Sequence, residues 1–303
     1  MHLARVLPAL VALLALLTTP VIAQENRQRD PQPAATSGIF SLLPADSVTN
    51  HVLKTAVRQL PYTATAGTLD LFAQDGTISA KVFYTAYVAK QGGPKRPLTF
   101  VFNGGPGAAS AYLHLGLVGP KILSFGPARN DGTTPSLEDN PESWLDFTDL
   151  VLIDPVGTGW SRAAGKDAEA AFFGVQQDAQ TIAKVIALYV QHNARITSPK
   201  YLLGESYGGF RAAKVASVLK DNQGILVSGI IMASPLIDGQ LIFGATDYPL
   251  GAALQLPSLA AAALERKNAL SPEAVARAER FAMTDYLVSL AGPAPVGAQA
   301  DAF

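Results

Sequence analysis

The chain has 303 residues, 49% of them hydrophobic and 16% charged, with 26 Gly, 21 Pro and no Cys. A formal net charge of −1 speaks against nucleic acid as a partner, because neutralising phosphates takes a basic surplus. The apolar content excludes a disordered chain, and the lack of Cys excludes disulfides, thiolate metal sites and Cys nucleophiles.

His2 and Arg5 precede the apolar run Val6–Leu17, which is followed by Thr18-Thr19-Pro20 and Val21-Ile22-Ala23. A short basic start, an apolar stretch of that length and small residues before Gln24 predict a secretory signal peptide, residues 1–23, cut after Ala23. The run is too short to span a bilayer, which takes about 20 apolar residues. The mature protein is therefore expected to be exported, periplasmic or secreted, with no membrane attachment after cleavage. Residues 24–66 are expected to form an N-terminal lead-in, polar and Pro-containing at its start.

Gly67–Ala73 and Val82–Val88 are β-rich runs around Gln74-Asp75-Gly76-Thr77, and the Asp-Gly pair predicts the turn of an antiparallel hairpin. Short apolar runs follow at Leu98–Phe102, Leu150–Ile153, Tyr201–Leu203 and Ile225–Met232. Continuous apolar strands suit a parallel sheet buried on both faces. Between them the spacing predicts helices over Ala168–His192 and Phe210–Lys220. Such alternation predicts a doubly wound α/β core over residues 67–245. From about Gly251 the chain turns Ala-rich, with helices expected over Ala252–Lys267 and Pro272–Leu290 and Ser271 as an N-cap. Residues 246–303 are read as a helical addition to the core.

Three motifs stand at strand ends, where such sheets keep their chemistry. Gly204-Glu205-Ser206-Tyr207-Gly208 lies between a predicted strand and a predicted helix, the context of a nucleophile elbow. The turn is so tight that the residues two before and two after the serine must be small. The Ser206 hydroxyl is thereby presented at a helix N-terminus, whose free N–H groups favour developing negative charge. Asn103-Gly104-Gly105-Pro106-Gly107 follows the strand Leu98–Phe102, with side chains nearly absent so that backbone can approach a substrate. An acyl-transfer enzyme needs two amide donors aimed at the oxyanion, and Gly105 and Tyr207 are the candidates. Asp154-Pro155-Val156-Gly157-Thr158-Gly159-Trp160-Ser161 follows the strand Leu150–Ile153. It is not a phosphate loop, because five residues separate Gly159 from Gly165 and Lys166 precedes Asp167 rather than Ser or Thr. A rigid loop lining the cleft is expected instead.

These three strings, in this order, with Asn140-Pro141-Glu142-Ser143-Trp144 in support, resemble the serine carboxypeptidase family of α/β-hydrolases from about Gly67 to Asp238. The resemblance is closest to the disulfide-free bacterial-type branch. It implies an α/β-hydrolase fold with a helical insertion, and release of single residues from peptide C-termini through an acyl-enzyme, with neither metal nor cofactor. It implies Ser206 as nucleophile, the amides of Gly105 and Tyr207 as oxyanion donors, and Asn103, Gly104 and Glu205 as the hold on the substrate's terminal carboxylate. Two ionised carboxylates a hydrogen bond apart repel, so Glu205 can serve only with a shared proton.

Two departures from the pattern follow. Better-known members pair the Glu with a second acid after the Gly-rich string, whereas this chain reads Ala111-Tyr112-Leu113-His114-Leu115-Gly116-Leu117-Val118. A charged His114 near Glu205 would favour the ionised carboxylate; otherwise His114 is a wall or structural residue. A serine nucleophile also needs a base, and α/β-hydrolases place Asp and then His after the Ser. The four histidines, His2, His51, His114 and His192, all precede Ser206. The sequence is accordingly expected to be truncated within the helical insertion and inactive alone. Two other readings stay open: an α/β-hydrolase of the proline iminopeptidase type, or a non-catalytic remnant that binds peptides.

Overall fold

The computed structural model describes residues 38–55, 57–125, 135–243 and 248–292, all within one unit, Gly38–Phe303. The expected signal peptide, its cleavage point after Ala23 and the start of the lead-in lie outside the described residues. The strands are β1 (Ser47–Lys54), β2 (Gln59–Phe72), β3 (Ile78–Ala89), β4 (Leu98–Phe102), β5 (Lys121–Ser124), β6 (Ser136–Asp139), β7 (Asp149–Ile153), β8 (Arg162–Ala163), β9 (Lys200–Glu205) and β10 (Gly229–Ala233). The main sheet runs β1-β2-β3-β7-β4-β9-β10, with β8 paired to β3 and β5-β6 forming a separate ribbon. β1, β2 and β3 pair antiparallel, β3 meets β7 antiparallel, and β7, β4, β9 and β10 are mutually parallel.

β4 and β7 have all five residues buried, as their predominantly apolar sequences require. Their side chains alternate between two cores. Phe100, Phe102, Val151, Ile153 and Leu202 enter one, and Val101, Leu150, Leu152 and Leu203 the other. The first core is covered by α1 (Val175–His192) and α2 (Tyr207–Gln223). α1 offers Ile182, Val185, Ile186, Tyr189 and Val190 at helical spacing, and α2 offers Ala212, Val215 and Leu219. The second is closed by Leu53 of β1, Leu60 and Tyr62 of β2, and by Leu113, Val118 and Leu145 from the connections. After α2 come the helices α3 (Gly239–Phe243), α4 (Pro249–Arg266), α5 (Pro272–Phe281) and α6 (Leu287–Ala291).

The sheet begins earlier than the hairpin expected from Gly67. β1 and the first residues of β2 already pair within the stretch read as lead-in, in a register that sets Ser47 against Ala66. The hairpin turn itself is as expected: the Ala73 amide donates to the Thr77 carbonyl at 2.8 Å, and Gly76 takes φ +82°. The helix expected from Ala168 starts later. Short turns at Lys166–Glu169 and Ala170–Phe172 end at Gly174, whose extended ψ of 152° breaks the helix before Val175. Ser271 caps α5 as expected, its Oγ accepting from the Ala274 amide at 3.2 Å. The second helix of that pair stops at Phe281 and passes through a wider turn, Ala282–Tyr286, before α6. Among the described residues no helix is long and apolar enough to cross a membrane.

Candidate active site

Ser206 stands between β9 and α2 with φ 57° and ψ −124°, a backbone conformation unfavourable for any residue with a Cβ. Such strain persists only where the surroundings fix it. The Ser206 amide donates to the Ala233 carbonyl of β10 at 2.9 Å, while its carbonyl accepts from Gly209 and Leu236, each at 3.0 Å. Both flanking glycines are required. A Cβ on Gly204 would overlap the Gly208 carbonyl, and one on Gly208 would come within 2.5 Å of the Phe102 carbonyl oxygen. The geometry is that of a nucleophile elbow.

The Gly-rich string after β4 lies directly against this turn. A Cβ on Gly104 would be 2.6 Å from the Tyr207 amide nitrogen and 2.7 Å from the Glu205 carbonyl oxygen. Gly105 follows at φ +108° and Gly107 at φ +133°. Tyr207 is the first residue of α2, so its amide has no carbonyl partner within the helix. The two candidate oxyanion residues are thus carried by segments in backbone contact.

Asn103 is 1% exposed and held on every side. The Leu113 amide donates to its Oδ1 at 2.9 Å, which orients the side chain so that Nδ2 donates to Glu205 Oε2 at 3.1 Å. Asn103, Gly105, Glu205 and Ser206 line one open cavity of about 420 Å³, walled beyond them by Tyr112 and Leu117. Of the expected site residues, Gly104 is buried against the backbone of the elbow and does not line this cavity, and Tyr207 faces a second cavity of about 220 Å³. That second cavity is lined by Pro155, Val156, Gly157 and Thr158 but not by Ser206, so the loop after β7 shares a cavity with Tyr207 and does not line the Ser206 cavity as expected. The loop is rigid for a visible reason. Asp154 is buried and accepts from the Ser110 amide at 2.8 Å, and Ser161 Oγ donates to the Asp154 carbonyl at 2.6 Å. Burial pushes the Asp154 carboxyl up, against the lowering effect of its backbone donors.

His114 takes the structural alternative. Its Nε2 shares a 2.5 Å hydrogen bond with the Tyr87 hydroxyl, and burial pushes its pKa down to about 4. A neutral imidazole at ordinary pH brings no positive charge to the site. His51 is exposed on β1, bonded to Thr49 Oγ1 at 2.8 Å, and His192 is exposed at the end of α1. Among the described residues none of these histidines lines the Ser206 cavity. Nor do the described residues contain a group of three or more His, Cys, Asp or Glu placed to hold a metal ion.

Two residues near the site carry no motif and were not singled out in the sequence. Arg211 of α2, buried, and Asp178 of α1, partly exposed, form an ion pair, Nε to Oδ2, at 2.7 Å. Their signal is an i to i+5 charge behind Ser206 on a helix whose other inward positions are small or apolar.

A family profile described as serine carboxypeptidase matches residues 59–245. The chain is 26% identical over 181 residues to serine carboxypeptidase-like 44 of Arabidopsis thaliana, a span of 57% of this chain and 36% of that protein. It is 25% identical over 167 residues to the pheromone-processing carboxypeptidase KEX1 of Yarrowia lipolytica, covering 54% and 26%. With carboxypeptidase sxa2 of Schizosaccharomyces pombe the identity is 32% over 126 residues, covering 40% and 22%. In each case the match spans less than half of the relative's length. Among solved structures, KEX1(delta)P, a prohormone-processing carboxypeptidase from Saccharomyces cerevisiae, superposes with a TM-score of 0.45 at 21% identity, over 76% of this chain and 52% of that one.

Proposed function

This chain belongs to the serine carboxypeptidase family, and we propose that it releases residues from the free C-terminus of peptides through an acyl-enzyme on Ser206. The observation that carries this reading is the strained Ser206 backbone set against the Gly104 main chain. Ser206 Oγ attacks the last peptide carbonyl, and the amides of Gly105 and Tyr207 receive the oxyanion. Asn103, Gly104 and Glu205 hold the terminal carboxylate of the substrate.

Among the described residues, His51, His114 and His192 are each engaged or exposed elsewhere and none lines the Ser206 cavity, so the hydroxyl proton leaves to water. On their own, these 303 residues then acylate slowly. The oxyanion site and binding alone give about 10³–10⁴-fold over water when a triad member is missing. The absence of Cys supports a place in the disulfide-free bacterial-type branch, and the basic-apolar N-terminus supports export. Residues 246–303 are read as a helical insertion beside the core.

The test is to incubate the full chain with a peptide of mixed sequence and follow it by mass spectrometry. Slow, stepwise loss from the C-terminus is expected, absent in Ser206→Ala and absent for the C-terminal amide of the same peptide. Internal cleavage, or equal loss with Ser206→Ala, contradicts the proposal. Saturable binding of the free-acid peptide with no loss at all would make the chain a peptide-binding protein instead.

A further inference from the structure

Arg211 is 2% exposed, and a desolvated guanidinium persists only when its donors are matched. Its Nε donates to Asp178 Oδ2 at 2.7 Å, and its Nη1 donates to the main-chain oxygen of Asn103 at 2.6 Å. Its plane stands 5.0 Å from the centre of the Tyr207 ring and 6.0 Å from that of Phe102, within cation–π range.

The Asn103 carbonyl is a particular acceptor. It belongs to the peptide unit that joins Asn103 to Gly104, one residue beyond the end of β4. From there the chain runs through Gly104 and Gly105, whose lack of side chains leaves the direction of the Gly105 amide to be set from outside. The Tyr207 ring under the same guanidinium belongs to the residue that offers the other amide.

We propose that Arg211 is a positioning residue for the oxyanion site, fixing both halves of it at once. Its Nη1 bond sets the plane of the Asn103–Gly104 peptide from which the Gly105 amide is aimed, and its contact with the Tyr207 ring steadies the second donor. Asp178, on a different helix, fixes the guanidinium in turn. The inference rests on Ser206 being the nucleophile. Its reward is geometric, since oxyanion donors act only at hydrogen-bond distance and a displacement of about 1 Å costs about 10²-fold in rate.

The test uses p-nitrophenyl acetate on the full 303-residue chain, with acetylation read by intact mass and mapped by peptide digestion. In that step Ser206 Oγ bonds to the carbonyl carbon, p-nitrophenolate leaves, and the hydroxyl proton passes to water. Arg211→Lys keeps a charge opposite Asp178 but cannot also reach the Asn103 carbonyl and lie over Tyr207. It is expected to fold and to acetylate about 10-fold more slowly, the loss falling in the limiting rate rather than in the half-saturating ester concentration. Arg211→Ala is expected to lose about 100-fold. Because Arg211 and Asp178 line the 220 Å³ cavity, added ethylguanidinium has a route to the vacated position and should restore several-fold, with no effect on the parent or on Ser206→Ala.

Parent-like rates in Arg211→Lys overturn the proposal. So does slowing in Arg211→Ala that ethylguanidinium leaves unchanged. Should the alanine variant not fold, the lysine variant carries the test. Hydrogen exchange of the segment 103–108 separates the two claims. Faster exchange in Arg211→Lys, with no Ser206-dependent acetylation in any variant, upholds the grip of Arg211 on the loop and removes Ser206 as nucleophile. Unchanged exchange and unchanged rates remove Arg211 from the site.

Discussion

β9, which ends in the nucleophile elbow, has a parallel apolar neighbour on each side, and the two neighbours differ sharply. On one side β4 is Leu98-Thr99-Phe100-Val101-Phe102, wholly buried between two cores. On the other, β10 is Gly229-Ile230-Ile231-Met232-Ala233, with the three large side chains 37–38% exposed. Among the described residues β10 is the edge of the sheet on that side. An apolar run therefore specifies a strand, but burial comes only from what packs on its faces. The chemistry follows the same line. The Gly-rich loop grows out of the covered strand from Asn103, which is hydrogen-bonded to Leu113, Glu205 and Arg211, whereas the edge strand supplies Ser206 only with a backbone acceptor, the Ala233 carbonyl.

The comparison can be broken by substitution, starting with the largest expected effect. Gly204→Ala should cost more than about 4 kcal/mol, because its Cβ would meet backbone that cannot move without dismantling the elbow. Urea denaturation measures it, and a fold that tolerates the methyl would show that the elbow is not tight. Phe100→Ala on the covered side should cost about 3–5 kcal/mol, and Ile231→Ala on β10 less than about 1.5 kcal/mol. Equal costs would mean that β10 is as well covered as β4.

An acid titration probes the covered side from another direction. The His114 pKa is about 4 in the fold against an ordinary 6.5, so the unfolded chain takes up a proton first. The stabilisation is full above pH 6.5 and is lost as the pH falls towards 4, up to about 3 kcal/mol. Thermal melts across that window should show the loss, and His114→Gln should flatten it. The smallest effect concerns affinity. Glu205→Gln removes a negative charge from the proposed hold on the terminal carboxylate while keeping its shape, so calorimetry at neutral pH should show a free-acid peptide binding about a few-fold more tightly than to the parent.

Much of the core was legible because its signals are strong and local. β4, β7 and β9 coincide with their apolar runs to within a few residues, and the strand–turn–helix around Ser206 follows from its glycines. β1 was not legible, since only Leu53 of Ser-Val-Thr-Asn-His-Val-Leu-Lys is buried and the strand is held by pairing with β2. Pro61 disguised the start of β2, because proline inside a run argues against a strand; here its carbonyl accepts from the Lys90 amide at 2.9 Å. Arg211 escaped for a different reason. A charged residue on a helix reads as solvent-facing, and only the fold brings Asp178 and the Asn103 carbonyl to it from positions 33 and 108 residues away. His114 could be read as wall or partner until the Tyr87 hydroxyl settled which group it meets.

The most direct test of the account is labelling with a fluorophosphonate, followed by intact mass and peptide mapping on the full chain and on Ser206→Ala. Slow, single-site phosphonylation at Ser206, absent in the variant, is the predicted result. Labelling at another residue, or equal labelling of Ser206→Ala, would contradict the nucleophile, and labelling complete within seconds would contradict the slow acylation assigned to these residues.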